Sequence, residues 1–97
     1  MVQKYRFEWD PLKAARNERK HGVAFDDAVQ AFHDPLRLTE IEGDDHGEIR
    51  WRTIGQVGGW TIVFVSHTTR EEGEVDVVRI ISARNATPRE RHAYEEA

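Results

Sequence analysis

The sequence predicts an α+β fold, in which an N-terminal strand and two helices pack on a twisted antiparallel meander sheet closed by a C-terminal helix. Three observations predict it. Runs rich in β-branched and aromatic residues recur at 49–54, 60–65 and 77–84, joined by connections too short for a crossover. Two capped helical segments precede these runs, and a third helix start is written at Thr87-Pro88. At 97 residues the chain supports one domain, spanning 1–97.

Tyr5-Arg6-Phe7-Glu8-Trp9 alternates aromatic and charged residues, the period of a half-buried strand. Asp10 is an N-cap and Pro11 a first-turn proline, so a helix runs from about Pro11 to Lys20 and stops at Gly22, a left-handed cap. Its last turn collects Arg16, Arg19, Lys20 and His21, where the helix dipole favours positive charge. A second helix follows, with Phe25 before the cap Asp26 and a core stripe of Phe25, Ala28, Val29 and Phe32. His33-Asp34-Pro35 ends it. Residues 36–42 form a weakly patterned strand, and 43–48 a polar loop.

The next strand puts Ile49, Trp51 and Thr53 on one face and Arg50, Arg52 and Ile54 on the other. Gly58-Gly59 reads as a two-residue hairpin turn, because both central positions of the favoured turn need positive φ. Residues 60–65 are apolar on both faces and predict a central strand, leading through Ser66-His67-Thr68-Thr69 to Arg70 and the loop 71–74. In the last strand Val78, Ile80, Ser82 and Arg84 point one way, and Val77, Arg79, Ile81 and Ala83 the other. Thr87, Pro88 and Glu90 then form a capping box with its proline. With the early helices on one face, the other face or its rim is left for function.

Composition narrows the chemistry. There is no cysteine, which excludes disulfides and thiolate catalysis. Mean hydropathy is -0.73 and no run approaches the roughly 20 apolar residues of a membrane span, so a soluble protein is expected. The first residues lack a signal peptide's apolar core, which predicts a cytoplasmic location. The net charge of -4 opposes a generic binder of phosphate backbones unless the charge is segregated.

Three constellations compete for a site. Asp44, Asp45, His46 and Glu48 are suitable types for a metal but have no recognised ligand spacing, and a solvated acidic turn is the better reading; neither metal nor cofactor is expected. The five histidines, taken singly, read as surface or hydrogen-bonded residues, though His21 and His67 lie beside clustered bases. The third set is Lys20, His21, Arg50, Arg52, Arg70, Arg79 and Arg84, which the topology can gather on one sheet. Converging cations suit an anionic polymer. RNA carries its own nucleophile, so attack by the 2′-hydroxyl on the adjacent phosphate needs only an acceptor, an arginine for the phosphorane oxygens and a donor. His21, Lys20 or Glu48 can accept, Arg50, Arg70 or Arg79 can stabilise, and Tyr94 or His67 can donate. Against this stands the ordinary reading of paired surface ions, given 18 acidic residues.

Phe7-Glu8-Trp9-Asp10, Lys13, Asn17, Lys20-His21-Gly22-Val23, Phe32-His33-Asp34-Pro35, His46-Gly47-Glu48 with Arg50, Ile54-Gly55, Arg70, residues 79–84, Ala86-Thr87, Glu90 and Tyr94 together resemble the BrnT toxins. The resemblance implies a RelE-like fold and a ribonuclease toxin of a type II toxin–antitoxin pair that arrests growth. It also implies a BrnA-like antitoxin with a ribbon-helix-helix domain, so that operator DNA is met only through the partner in a hetero-oligomer. The positions carried over are Lys20, His21, Glu48, Arg50, Arg70, Arg79 and Tyr94 as catalytic candidates. Arg52, His67 and Arg84 accompany them as RNA-binding candidates, Arg84 as a structural or antitoxin-facing neighbour. Pro88 departs from the charged residue of many relatives. The leading expectation is a metal-independent endoribonuclease; the alternative is a non-catalytic module or co-repressor acting only through its antitoxin. Trp51 and Trp60 are candidate anchors for that partner.

Overall fold

The computed structural model describes residues 4–97, and of Asp45 the backbone alone. The reading of the first three residues as lacking a signal lies outside the described residues. Five strands, β1 (Lys4–Glu8), β2 (Leu38–Asp45), β3 (Glu48–Val57), β4 (Thr61–Glu72) and β5 (Val75–Asn85), form one sheet in the order β1-β5-β4-β3-β2. The pairs from β2 to β5 are the expected antiparallel meander. β1 departs from that pattern and joins β5 in parallel. A parallel neighbour requires a long crossover, here supplied by α1 (Pro11–His21), α2 (Phe25–Ala28) and a 3₁₀ segment (Val29–His33). α3 (Pro88–Glu96) closes the chain.

The helix ends follow the sequence closely, with one exception. Asp10 caps α1 through hydrogen bonds from the Leu12 and Lys13 amides, and Gly22 at φ 73° ends it. Thr87 and Glu90 exchange the two bonds of the capping box at α3. The second helix differs: its N-cap is Ala24 rather than Asp26, with no side-chain cap bond, and after one turn it tightens into the 3₁₀ segment. That tightening turns Ala31 into the core beside Phe32. The close approach depends on Gly55 of β3, where a Cβ would lie 2.6 Å from the Ala31 carbonyl oxygen.

Each face of the sheet carries its own core. On the crossover side, Phe25, Ala28, Ala31 and Phe32 pack on Val63, Val65, Val78, Ile80 and Ala83. On the other side, Tyr94 of α3 packs on Ile54, Ile62 and Phe64. α3 covers only that end, and the polar halves of β3, β4 and β5 continue beyond it.

Two hairpins reverse the sequence reading. The tight two-residue turn is His46-Gly47, both at positive φ, inside what reads as a polar loop. The connection at Gly58-Gly59 has three residues, since Val57 pairs with Thr61, and of the two glycines Gly58 alone has positive φ. Trp60 therefore sits in the turn, 88% exposed, rather than opening a central strand. β4 also runs on through Ser66, His67, Thr68, Thr69 and Arg70 to Glu72, paired with β5 throughout.

Candidate functional site

The arginines fall on one face because a bulge corrects the parity of β5. Ser66 pairs with Ser82 but His67 pairs with Ile80, leaving Ile81 as the extra residue. Strict alternation sets Arg84 opposite Arg79; the bulge returns both to the same side. Arg79 lies across from Thr68 and beside Glu8 of β1. Arg84 stacks its guanidinium 4.1 Å from the Phe64 ring centre, and Phe64, Ser66, Thr68 and Arg70 share one face of β4. Arg52 and Ile54 pair with Ser66 and Phe64, so Arg50 and Arg52 face the same way. This is the face that α3 leaves partly open.

At its centre is a pocket of about 470 Å³ lined by Glu42, Gly43, Asp44, Arg50, Phe64, Ser66, Ser82 and Arg84. Glu42 is the extra residue of a second bulge, between Ile41 and Gly43. Its carboxylate reaches over β3 to accept a 2.6 Å hydrogen bond from Ser66 Oγ. Sequence reasoning passed over Glu42, because a bulge inside a weakly patterned strand has no signal beyond the adjacent glycine.

Lys20 and His21 reach the rim of this face through Asn17. β1 pairs with β5 only as far as Arg79, and beyond it the edge of β5 is met by α1. Buried Asn17 acts there as a short substitute for a strand, donating to the Ala83 carbonyl at 2.7 Å and accepting from the Ala83 amide at 3.1 Å. Its amide also donates to the Val23 carbonyl, fixing the chain just past the helix. Lys13, Arg16, Lys20 and His21 consequently line a groove beside Ile81 and Ser82, and Ser82 lines the central pocket as well.

Several candidates are already engaged. Arg70 is exposed and donates to Glu8 at 2.6 Å and Glu72 at 2.8 Å, while Arg6 also binds Glu72 at 2.6 Å. The Arg70 hydrogen bond holds the Glu8 and Glu72 carboxyls below their ordinary values. Arg84 forks onto both oxygens of Glu90, at 2.7 and 2.9 Å, tying β5 to α3 and lowering the Glu90 carboxyl. Arg52 holds Glu40 at 3.3 Å. Glu48 begins β3 at the hairpin tip, in line with Arg50 and Arg52.

Of the two donor candidates, Tyr94 is not brought to the arginines, and His67 meets Arg37 and Arg70 around a separate pocket of about 410 Å³ that Phe32 and Trp51 also line, away from Arg50 and Arg84. His67 lies on the crossover side, 3% exposed, between Thr53 (2.8 Å) and Thr69 (3.0 Å) with its ring edge-on to Phe32. Burial pushes its imidazole down to about 4, so it is neutral at pH 7. Tyr94 is buried beneath α3 and gives its hydroxyl proton to Asp34 Oδ2 at 2.5 Å; burial and this bond push the phenol up to about 12. Both act in packing, and their polar atoms are spoken for. Among the described residues no group of three or more His, Cys, Asp or Glu is arranged to hold a metal, and no helix is long and apolar enough to cross a membrane.

The fold and this face define a small α+β protein whose five-stranded sheet gathers arginines on the side that α3 leaves partly open, several of them paired with carboxylates. The model of the ribonuclease toxin BrnT of type II toxin–antitoxin systems matches residues 9–90, and the chain belongs to that family. The 1.1 Å crystal structure of the Brucella abortus ribonuclease toxin BrnT superposes with a TM-score of 0.60 at 25% identity, covering 87% of this chain and 97% of that one. No curated protein matches at a significant level. Membership in a type II system implies an antitoxin partner.

Proposed function

We infer that this chain, as a single toxin domain over residues 1–97, cleaves RNA on its arginine-lined face without a metal and arrests translation and growth. A BrnA-like ribbon-helix-helix antitoxin neutralises it and carries the complex to operator DNA. The observation that carries the reading is the gathering of Arg50, Arg52, Arg79 and Arg84 on one sheet face, with Lys20 and His21 at its rim. Cations so placed offset phosphate charge and stabilise the extra charge of a phosphorane. Arg50 and Arg79 are the stabilisers in this reading, Arg70 flanks them through its ion network, and Lys20, His21 and Glu48 supply proton transfer. The acidic net charge is no obstacle, because the basic residues are local and the partner meets DNA. Exposed Trp60 is a ready anchor for that partner.

One observation favours the non-catalytic alternative. Arg52, Arg70 and Arg84 already hold carboxylates, which reduces the field that RNA would meet.

Inducible expression in a bacterial host decides between them, with wild type beside Arg79→Ala and His21→Ala and total RNA followed during growth. Arrest with RNA cleavage, relieved by the antitoxin and lost in a folded variant, is the expected result. Unimpaired growth with intact RNA from folded protein would establish the interaction module instead.

A further inference from the structure

We propose that Glu42 is the proton acceptor of the cleavage, taking the 2′-hydroxyl proton of an RNA strand laid across the arginine-lined face. This rests on the ribonuclease reading above, but gives the acceptor role, left there to Lys20, His21 or Glu48, to Glu42 instead.

The local backbone sets Glu42 apart from the other carboxylates of the face. As the extra residue of a bulge it has no direct partner on β3, so its side chain is free of the ladder's pairing and extends over β3 to β4. There Ser66, only 4% exposed, donates to one carboxylate oxygen at 2.6 Å and fixes the group's direction. The charged and titratable groups facing it are Arg50 from β3, Arg84 from β5 and Asp44 from its own strand. Arg84 feels the Glu42 charge but spends its hydrogen bonds on Glu90 and the Asn85 carbonyl, so it does not clamp Glu42. Of the other acidic groups, Glu8 and Glu72 are committed to Arg70, Glu40 to Arg52 and Glu90 to Arg84, while Asp44, though it lines the pocket, pairs with Ile49, at the strand position that alternates away from Arg50. Glu48 stands at the hairpin tip, outside the pocket lining.

In the step that follows, the Glu42 carboxylate takes the proton as the 2′-oxygen forms a bond to the adjacent phosphorus. The bond from phosphorus to the 5′-oxygen breaks, and that oxygen leaves with a proton from Lys20 or His21, at the rim beside Ser82. The products are a 2′,3′-cyclic phosphate and a 5′-hydroxyl end, with Arg50 placed to meet the charge on the phosphorane oxygens.

The test compares full-length wild type with Glu42→Gln and Ser66→Ala on bacterial RNA in a translation-competent extract, mapping new 5′-hydroxyl ends. Binding of a mixed-sequence 2′-O-methyl oligonucleotide, which has no free 2′-hydroxyl, is measured alongside. Glutamine keeps an oxygen for Ser66, so Glu42→Gln should retain the wild-type melting temperature and oligonucleotide affinity while cleavage falls about 100-fold or more. The fall in rate that acidification produces in wild type should flatten in the same variant, and Ser66→Ala should lose less. Wild type that cuts while folded Glu42→Gln cuts equally well overturns this inference alone, as does a loss of cleavage matched by loss of binding. Wild type that leaves the RNA intact overturns the ribonuclease reading and this inference with it.

Discussion

The Tyr94 hydroxyl donates to Asp34 Oδ2 at 2.5 Å, joining α3 to the turn that leads out of the 3₁₀ segment. The same carboxylate accepts from the Gln56 amide at 2.8 Å and, through Oδ1, from the Leu36 amide at 2.9 Å. Burial alone would raise the Asp34 carboxyl; these bonds outweigh it and leave it below its ordinary value. Asp34 thereby fastens three separate segments, and Tyr94 is the side-chain donor among them. Tyr94→Phe should cost about 2 kcal/mol, roughly a 10 °C fall in melting temperature, while cleavage per folded molecule is unchanged. Thermal unfolding and an RNA assay on the same preparation check both halves.

His67 makes stability pH-dependent in a defined window. Its folded value of about 4 lies below the 6.5 of the unfolded chain, so between the two the unfolded state binds more protons. Stability is then fully present above pH 6.5 and is lost as the pH falls toward 4, by on the order of 3 kcal/mol. The depressed carboxyls of Glu8, Glu72, Glu90 and Asp34 contribute in a lower window, being lost only as the pH falls below their ordinary 4.5 or 3.8. Denaturant unfolding of His67→Gln should therefore show a flatter profile between pH 6.5 and 4.5 than wild type. An unchanged slope would mean that His67 is not held neutral.

Asn17→Ala should destabilise by about 3 kcal/mol, because it strips partners from the amide and carbonyl of Ala83 on a buried strand edge. It also releases α1 from β5, so RNA cleavage should fall more than the loss of folded protein explains. Activity normalised to the folded fraction makes that comparison.

Gly55→Ala tests the seating of the 3₁₀ segment. The new methyl group would meet Ala31 backbone atoms at 2.6 to 3.0 Å, and a backbone neighbour has little room to yield. Overpacking of this kind costs about 1 to 3 kcal/mol, readable as a lowered midpoint in denaturant.

What was legible in the sequence is what local chemistry dictates. Asp10-Pro11, Gly22 and Thr87-Pro88 with Glu90 announce helix ends, and Arg50 and Arg52 announce one sheet face. Hidden features are those that tertiary pairing decides. The bulge at Ile81 inverts the parity that placed Arg84 opposite Arg79. β1 becomes a parallel neighbour of β5 only because the crossover exists. Ser66 to Glu72 read as a connection because polar side chains break the apolar pattern, yet they form strand: buried Ser66 and His67 are satisfied by hydrogen bonds to Glu42, Thr53 and Thr69, and residues 69–72 are exposed. Glu42 escaped notice for a related reason, since its reach across β3 follows from a register shift.

The central claim is that phosphate chemistry is carried by the arginines of one sheet face without a metal. Its most direct measurement is RNA cleavage in EDTA by wild type, Arg50→Ala and Arg79→Ala, with the new ends identified. The account predicts 2′,3′-cyclic phosphate ends from wild type in EDTA and a loss of about 100-fold in each folded variant. Cleavage abolished by EDTA, or full activity in both variants, would contradict it.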